Sequence, residues 1–290
     1  MPTYKTHSIH IDKSNSYIDK RIELDIEDLK SFSFGPDTLV FTDSNVFNMQ
    51  HSKDSKYFFE CLLNKIKEDK LQDNKEIIAF LYGQLSHFIL DITFHPYVNY
   101  LTDNYKNQRL IQSHLQLEMW LDNYIMNKYN ITKEYVFKKT KIINQKARET
   151  IDFVYQKIYK CLFASIKYDI GMNAINVLEE NFRKNKQIND ITLLLNIGDI
   201  YYNKNNTKIY PYLNEEKDLW LDPITGEKHL ESIQEIWNNS VYLYIDTIEK
   251  INKYLYDGKS LNISILKKNL SYDTAHPCDK EKVRIYSKKY

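Results

Sequence analysis

Between Asn74 and Tyr100 the chain is predominantly apolar, and three ionisable side chains inside it recur at a fixed interval. The segment Gly83-Gln84-Leu85-Ser86-His87-Phe88-Ile89-Leu90-Asp91-Ile92-Thr93-Phe94-His95-Pro96-Tyr97 sets His87, Asp91 and His95 at four-residue steps. A run of that length and apolarity reads as a central, buried helix. On a helix the same steps stack the three side chains on one face, about 6 Å apart along the axis. His114 and Glu118 repeat the spacing further on and offer the partners a buried row of ionisable groups needs. Neutral imidazoles mixed with carboxylates are the donor set that a borderline cation such as zinc prefers.

The rest of the sequence supports a helical frame for this row. Gly 6 and Pro 6 in 290 residues leave few turn signals, so the expected fold class is all-α, a single multi-helix domain over residues 1–290. Helices are expected at Ser55–Lys67, with Tyr57, Phe58, Cys61, Leu62 and Ile66 on one face, and at Asn74 to about Tyr100. Pro96 should kink or end the latter. Further helices are expected at Arg109–Tyr129, at Thr132–Lys167 in one piece or two, and at Met172–Asn185. A loop at Asn203–Gly226 precedes a long helix from about His229 to Tyr256 and a short one near Ser260–Leu270. The tail from Ser271 to Tyr290 reads as polar and irregular.

Charge and cysteine usage narrow the class. Lys+Arg of 40 against Asp+Glu of 39 gives a formal charge of +1, so no global field draws the chain to nucleic acid or anionic lipid. Cys61, Cys161 and Cys278 are far apart and show no C-x-x-C spacing, which speaks against a disulfide framework or a thiolate zinc site. The N-terminus lacks the apolar run of a signal peptide. No stretch is expected to approach the roughly 18 apolar residues needed to span a bilayer. The expected location is cytoplasmic, with no transmembrane segment; the oligomeric state is not legible.

Other chemistries lack their signatures. There is no His-Glu-x-x-His, no Glu-x-x-His, no His-Asp dipeptide, no Gly-x-x-x-x-Gly-Lys and no Gly-x-Ser-x-Gly. Upstream of the central row, His7, His51 and Asp37 in Phe34-Gly35-Pro36-Asp37 are further ligand candidates. Taken alone, a histidine near a terminus reads as solvated and Gly-Pro-Asp as an ordinary turn. Asp122 extends the His114–Glu118 row and reads either as an orienting partner for an imidazole or as a surface acid. Phe94 and Trp120 read as core, and Tyr97 as core or as a contact to substrate phosphate. His10 is a substitute candidate for His7; His229 and His276 read as solvated.

Taken in order, these pieces resemble the zinc-dependent phospholipase C family, particularly its short bacterial members without a secretion signal. The matching pieces are Thr6-His7, Gly35-Pro36-Asp37, and His51 ahead of Phe58-Phe59-x-x-Leu62-Leu63. They continue with Gly83-x-x-x-His87-x-x-x-Asp91-x-x-x-His95-Pro96-Tyr97, His114-x-x-x-Glu118, and Trp220-x-x-Pro223-x-x-Gly226 ahead of Ser232. The resemblance implies an all-α fold with two or three zinc ions in a cleft that hydrolyses phosphoesters. Carried over by residue, Asp37, His51, His87 and Asp91 hold one zinc. His95, His114 and Glu118 hold a second, and His7 with Asp91 a third, Asp91 being the bridge. The resemblance also gives Asp37 the role of general base toward the attacking water.

Two departures stand out. Secreted members complete the third zinc site with an N-terminal Trp, where this chain has Met1-Pro2; that site is then incomplete, or uses Pro2 after loss of Met1. The step from Asp91 to His95 is shorter than in the secreted enzymes, so His95 is expected to point differently.

The function expected is a zinc-dependent hydrolase of phosphoester bonds, phosphodiesters above all, with water activated on the metals attacking phosphorus. The substrate partner expected is a small-molecule phosphoester or a lipid headgroup. One alternative is a single-strand nuclease or nucleotide phosphodiesterase on the same fold, hence a nucleic acid or nucleotide partner. Another is a non-catalytic, zinc-stabilised helical binding module.

Overall fold

Helix α5, Lys75–Thr102, is the hub on which the other elements are mounted. The computed structural model describes residues 4–18, 21–102, 114–131, 139–183 and 212–278, apart from the side chains of residues 115, 116, 179 and 181–183. Before the hub come α1 (Tyr4–Asn15), α2 (Ile26–Phe32), a 3-10 helix (Gly35–Phe41), α3 (Ser44–Ser52) and α4 (Ser55–Glu68). After it come α6 (His114–Lys128), α7 (Gln145–Tyr159) and α8 (Ala164–Arg183). A two-stranded antiparallel hairpin, β1 (Trp220–Leu221) and β2 (Lys228–His229), precedes α9 (Ile233–Tyr256) and α10 (Ser264–Lys267). The protein is all-α, with that hairpin as its strand content among the described residues.

Local chemistry explains several helix ends. Asp25, Asp43 and Asn144 each accept a hydrogen bond from a backbone N–H in the first turn of α2, α3 and α7, the standard N-cap contribution. Ser232 and Glu235 form a reciprocal capping box, which starts α9 after His229, where the sequence pattern alone would begin it. The expected run from Thr132 to Lys167 splits, because Lys160 and Phe163 take left-handed backbone (φ 58° and 56°) between α7 and α8. Residues 132–138 of that run, like residues 109–113 of the helix expected from Arg109, lie outside the described residues. So do residues 203–211 of the expected Asn203–Gly226 loop and residues 279–290 of the tail.

Pro96 does not end α5, which runs on to Thr102. A proline inside a helix costs about 3 kcal/mol through its missing donor and ring clash. Tyr97, Val98 and Leu101, all beyond it, are buried and contribute about 1.5–3 kcal/mol each. Packing on the far side therefore outweighs the break. On α4 the expected face shifts: Tyr57 is 50 % exposed, while Phe59 and Leu63 are fully buried in its place.

Two core clusters meet along α5. One takes Leu85, Phe88, Ile89 and Ile92 from the hub and packs them with α2, α4, α7, α8 and the end of α9. The other takes Leu90, Phe94, Tyr97, Val98 and Leu101 and packs them with α6, Trp220 and the start of α9. The row His87–Asp91–His95 runs along the seam. This helix also satisfies the length and apolarity of a membrane span, which the sequence reading had not granted it. Yet 94 % of the qualifying window is buried inside the protein, so its apolarity is that of a core helix.

Candidate metal centre

Five elements bring the candidate ligands together. Helix α1 contributes His7, the 3-10 helix Asp37, α3 His51, α5 His87, Asp91 and His95, and α6 His114 and Glu118. Their ligand atoms fall into three groups, each with all atoms within 4.8 Å of one another: His7–His87–Asp91, Asp37–His51–His87, and His95–His114–Glu118. His87 is common to the first two. All eight sequence candidates are therefore drawn together. The shorter Asp91-to-His95 step does not turn His95 away, because one helical turn carries it to α6.

The backbone decides which ring nitrogen faces inward. His51 Nδ1 donates to the Phe47 carbonyl at 2.9 Å, His87 Nδ1 to the Ser33 carbonyl at 3.0 Å, and His95 Nδ1 to the Tyr272 carbonyl. Each bond places the proton on Nδ1 and leaves the Nε2 lone pair for the centre, the usual way a ligating imidazole is oriented. His114 Nδ1 lies 3.4 Å from the Thr102 hydroxyl. Approach to the His87 ring requires glycine at position 35: its φ is +54°, and a Cβ there would come within 2.3 Å of the imidazole.

Distances among the inward atoms match a shared cation. His7 Nε2 is 3.3 Å from Asp91 Oδ1, His87 Nε2 3.1 Å from Asp91 Oδ2, and His51 Nε2 3.1 Å from Asp37 Oδ1. Ligands about 2.0–2.1 Å from a tetrahedral zinc stand about 3.3 Å apart. In the outer group His114 Nε2 is 2.7 Å and His95 Nε2 3.9 Å from Glu118 Oε1. Both ring nitrogens of His7, Nε2 of His87, both oxygens of Asp91 and Oδ1 of Asp37 are buried without a well-formed hydrogen bond. Native interiors rarely leave such atoms orphaned. Here they converge, as a cation site requires, and the nitrogen–oxygen set suits zinc.

The electrostatics favour the ligand-competent protonation states of His7, His95 and Asp91. Burial, helped by the neighbouring His87, lowers the His7 pKa to about 4, and burial lowers that of His95 to about 4. Both are neutral near pH 7. Burial works against ionisation of Asp91, yet the imidazoles of His87, His7 and His95 hold its carboxyl well below the usual range. Burial also pulls His51 down, but Asp37, Asp91 and Asp273 together carry it above its ordinary value. A cation sharing those carboxylates competes for the same position as that proton.

Surrounding residues fix the helices. Gln50, beside His51, and Gln84, one turn before His87, close a buried ring of hydrogen bonds with Tyr155 and Tyr168, at 2.6–3.1 Å. Asp122 is buried, not a surface acid: it accepts from the Thr6 N–H at 3.1 Å and the Thr6 hydroxyl at 2.5 Å, tying α6 to the residue before His7. His10 lies in the core, 2.8 Å from the Ser86 hydroxyl and edge-on to Trp237, and belongs to none of the three groups. Phe94 and Trp120 are core residues. Tyr97 is buried, and its hydroxyl donates to the Tyr212 carbonyl at 3.1 Å.

Sequence reasoning missed three contributors. Tyr272, in the supposedly irregular tail, is fully buried against His51, His87 and Phe88. His276, read as solvated, pairs with Asp222 at 2.9 Å. His229, also read as solvated, stacks on Trp220 at 4.2 Å between ring centroids.

A family model described as "Zinc dependent phospholipase C" matches residues 6–169, more than half of the chain, and that range holds all eight candidate ligands. No curated protein and no solved structure matches the chain.

Proposed function

Because the chain belongs to the zinc-dependent phospholipase C family, we propose that it hydrolyses phosphodiesters of small molecules or lipid headgroups in the cleft where the three groups meet. The observation that carries this reading is the convergence of buried, hydrogen-bond-deficient Nε2 and carboxylate atoms on α1, α5 and the 3-10 helix. We assign Asp37, His51, His87 and Asp91 to one zinc, His95, His114 and Glu118 to a second, and His7 with Asp91 to a third. Residues 1–3, which the family resemblance brings to the third position, lie outside the described residues. Zinc held there supplies Lewis acidity toward a phosphoryl oxygen and lowers the pKa of water to near neutrality.

The chain's own residues divide the remaining work by exposure. Asp91 is wholly buried and turns one oxygen to His7 and the other to His87, so its part is to hold cations. Asp37 is 14 % exposed, enough to meet a water from solvent, and it takes the proton as general base. His114, 36 % exposed, opens the outer group to an arriving substrate, which favours a catalytic over a purely structural metal role. Tyr272, Tyr97 and Trp120 are buried. They are not open to stacking with nucleobases, which favours a compact phosphodiester over a nucleic acid strand.

The test is zinc content together with hydrolysis of bis-p-nitrophenyl phosphate and of phosphatidylcholine vesicles, with and without a chelator. The reading expects bound zinc and chelator-sensitive release of nitrophenol, with or without lipid cleavage. Protein that is purified with zinc, carries none and hydrolyses neither substrate would overturn it. Cleavage of single-stranded DNA or RNA in preference to both would move the assignment to a nuclease.

A further inference from the structure

We infer that residues 270–278 form a strap that completes the metal centre, and that Asp222 and His276 latch it, acting as positioning residues for His51 and His95. The inference rests on the zinc reading above and concerns residues beyond the 6–169 covered by the family model.

The strap is a closed turn. Leu270 bridges Pro277, the Ser271 N–H donates to the His276 carbonyl at 2.8 Å, and the Cys278 N–H donates to the Asn269 carbonyl at 2.9 Å. Its base is fixed to the start of α4, where the Ser55 hydroxyl donates to the Leu270 carbonyl at 2.6 Å. Its tip reaches two ligand helices at once. The Tyr272 N–H and the Ser271 hydroxyl both donate to the His51 carbonyl, at 2.9 and 3.0 Å. The Tyr272 carbonyl accepts from His95 Nδ1, and the Asp273 carbonyl accepts from Asn99 of α5 at 2.6 Å. One short segment thus bears on ligands of two different groups.

A carbonyl orients an imidazole only as well as the carbonyl is itself held. The far side of the strap is held by His276, whose Nε2 lies 3.0 and 2.9 Å from the two oxygens of Asp222. Asp222 is itself anchored in the hairpin turn. It accepts from the Ile224 and Thr225 N–H groups at 2.8 Å each, and its own N–H donates to the Glu227 carbonyl at 2.8 Å. The turn hangs from Trp220, which is buried in the second core cluster. Mechanical support therefore runs from that core through Asp222 and His276 to the Tyr272 carbonyl, and from there to the orientation of His95.

The experiment compares the full chain with His276→Ala and His276→Gln. It measures zinc affinity by competition with a chromophoric chelator, and the visible spectrum of the cobalt(II)-loaded protein. His276→Ala is expected to weaken zinc binding about tenfold and to shift the cobalt spectrum. His276→Gln, whose amide still donates to Asp222, is expected to restore both. Should His276→Ala fail to fold, His276→Phe provides the same comparison, since it keeps the ring's bulk and removes the Nε2 contact to Asp222. Unchanged zinc affinity and an unchanged cobalt spectrum in folded His276→Ala would overturn the latch. An unaltered chain that binds neither zinc nor cobalt would instead overturn the zinc reading, and the latch with it.

Discussion

The inner group His7, His87 and Asp91 and the outer group His95, His114 and Glu118 both draw on helix α5, yet meet water differently. The inner three are wholly buried, whereas the outer group includes a histidine more than a third exposed. The inner side chains sit in the seam between two core clusters, and a mismatch there disturbs the fold itself. The outer group is built partly from α6 at the edge, where solvent can take the place of a missing ligand. A buried donor set carries a folding cost that a cation offsets; an open one is free to admit a reactant. The two groups therefore predict different failures.

Acid should produce the largest effect. His7 and His95 in the fold have pKa values lowered to about 4, and His10 to about 3, against 6.5 for an unburied histidine. Between these limits the unfolded chain binds more protons than the folded one, so stability falls as pH falls. Metal-free protein should lose stability steadily from about pH 6.5 to about pH 4, as read by urea melts at stepped pH. Flat stability across that window would mean that His7, His10 and His95 are solvated, and the buried seam on which the contrast rests would be lost.

Asp91→Asn comes next. Structural zinc sites with about four ligands release about 10–16 kcal/mol, so one ligand is worth about 3–4 kcal/mol, a loss of several hundredfold. Calorimetric zinc titration should show that loss at the inner positions while the outer ion is retained. Equal weakening of every ion would show that the groups are not separable. The smallest effect belongs to His114→Ala, where water can substitute for the ring. About a tenfold weakening confined to one ion is expected, with the melting temperature of the metal-free protein unchanged. A large drop in that melting temperature would make the outer group structural.

The parts of this molecule that were legible in its sequence are those encoded by side-chain type at helical spacing. His87, Asp91 and His95 announce a face of α5, and His114 with Glu118 a face of α6, because a period of 3.6 residues turns spacing into geometry. The helical fold followed from the scarcity of breakers. What stayed hidden was carried by the backbone or by distant pairings. The carbonyls of Ser33, Phe47 and Tyr272, which orient three imidazoles, leave no trace in residue identity. Asp222 and His276 meet across 54 positions, so neither looks different from a solvated residue. Pro96 is a different case: its local signal to stop the helix was real, and α5 continues past it into buried packing. His10 stood only as a substitute for His7, which the Thr6-His7 match favoured, and the fold turns it to Ser86 instead.

The most direct test of a shared cation centre is anomalous diffraction at the zinc edge from crystals grown with zinc. Discrete peaks flanked by His7, His87 and Asp91, by Asp37 and His51, and by His95, His114 and Glu118 are the expected result. Zinc-soaked crystals with no peak at any of these positions, and with the same side chains paired only to one another, would contradict it.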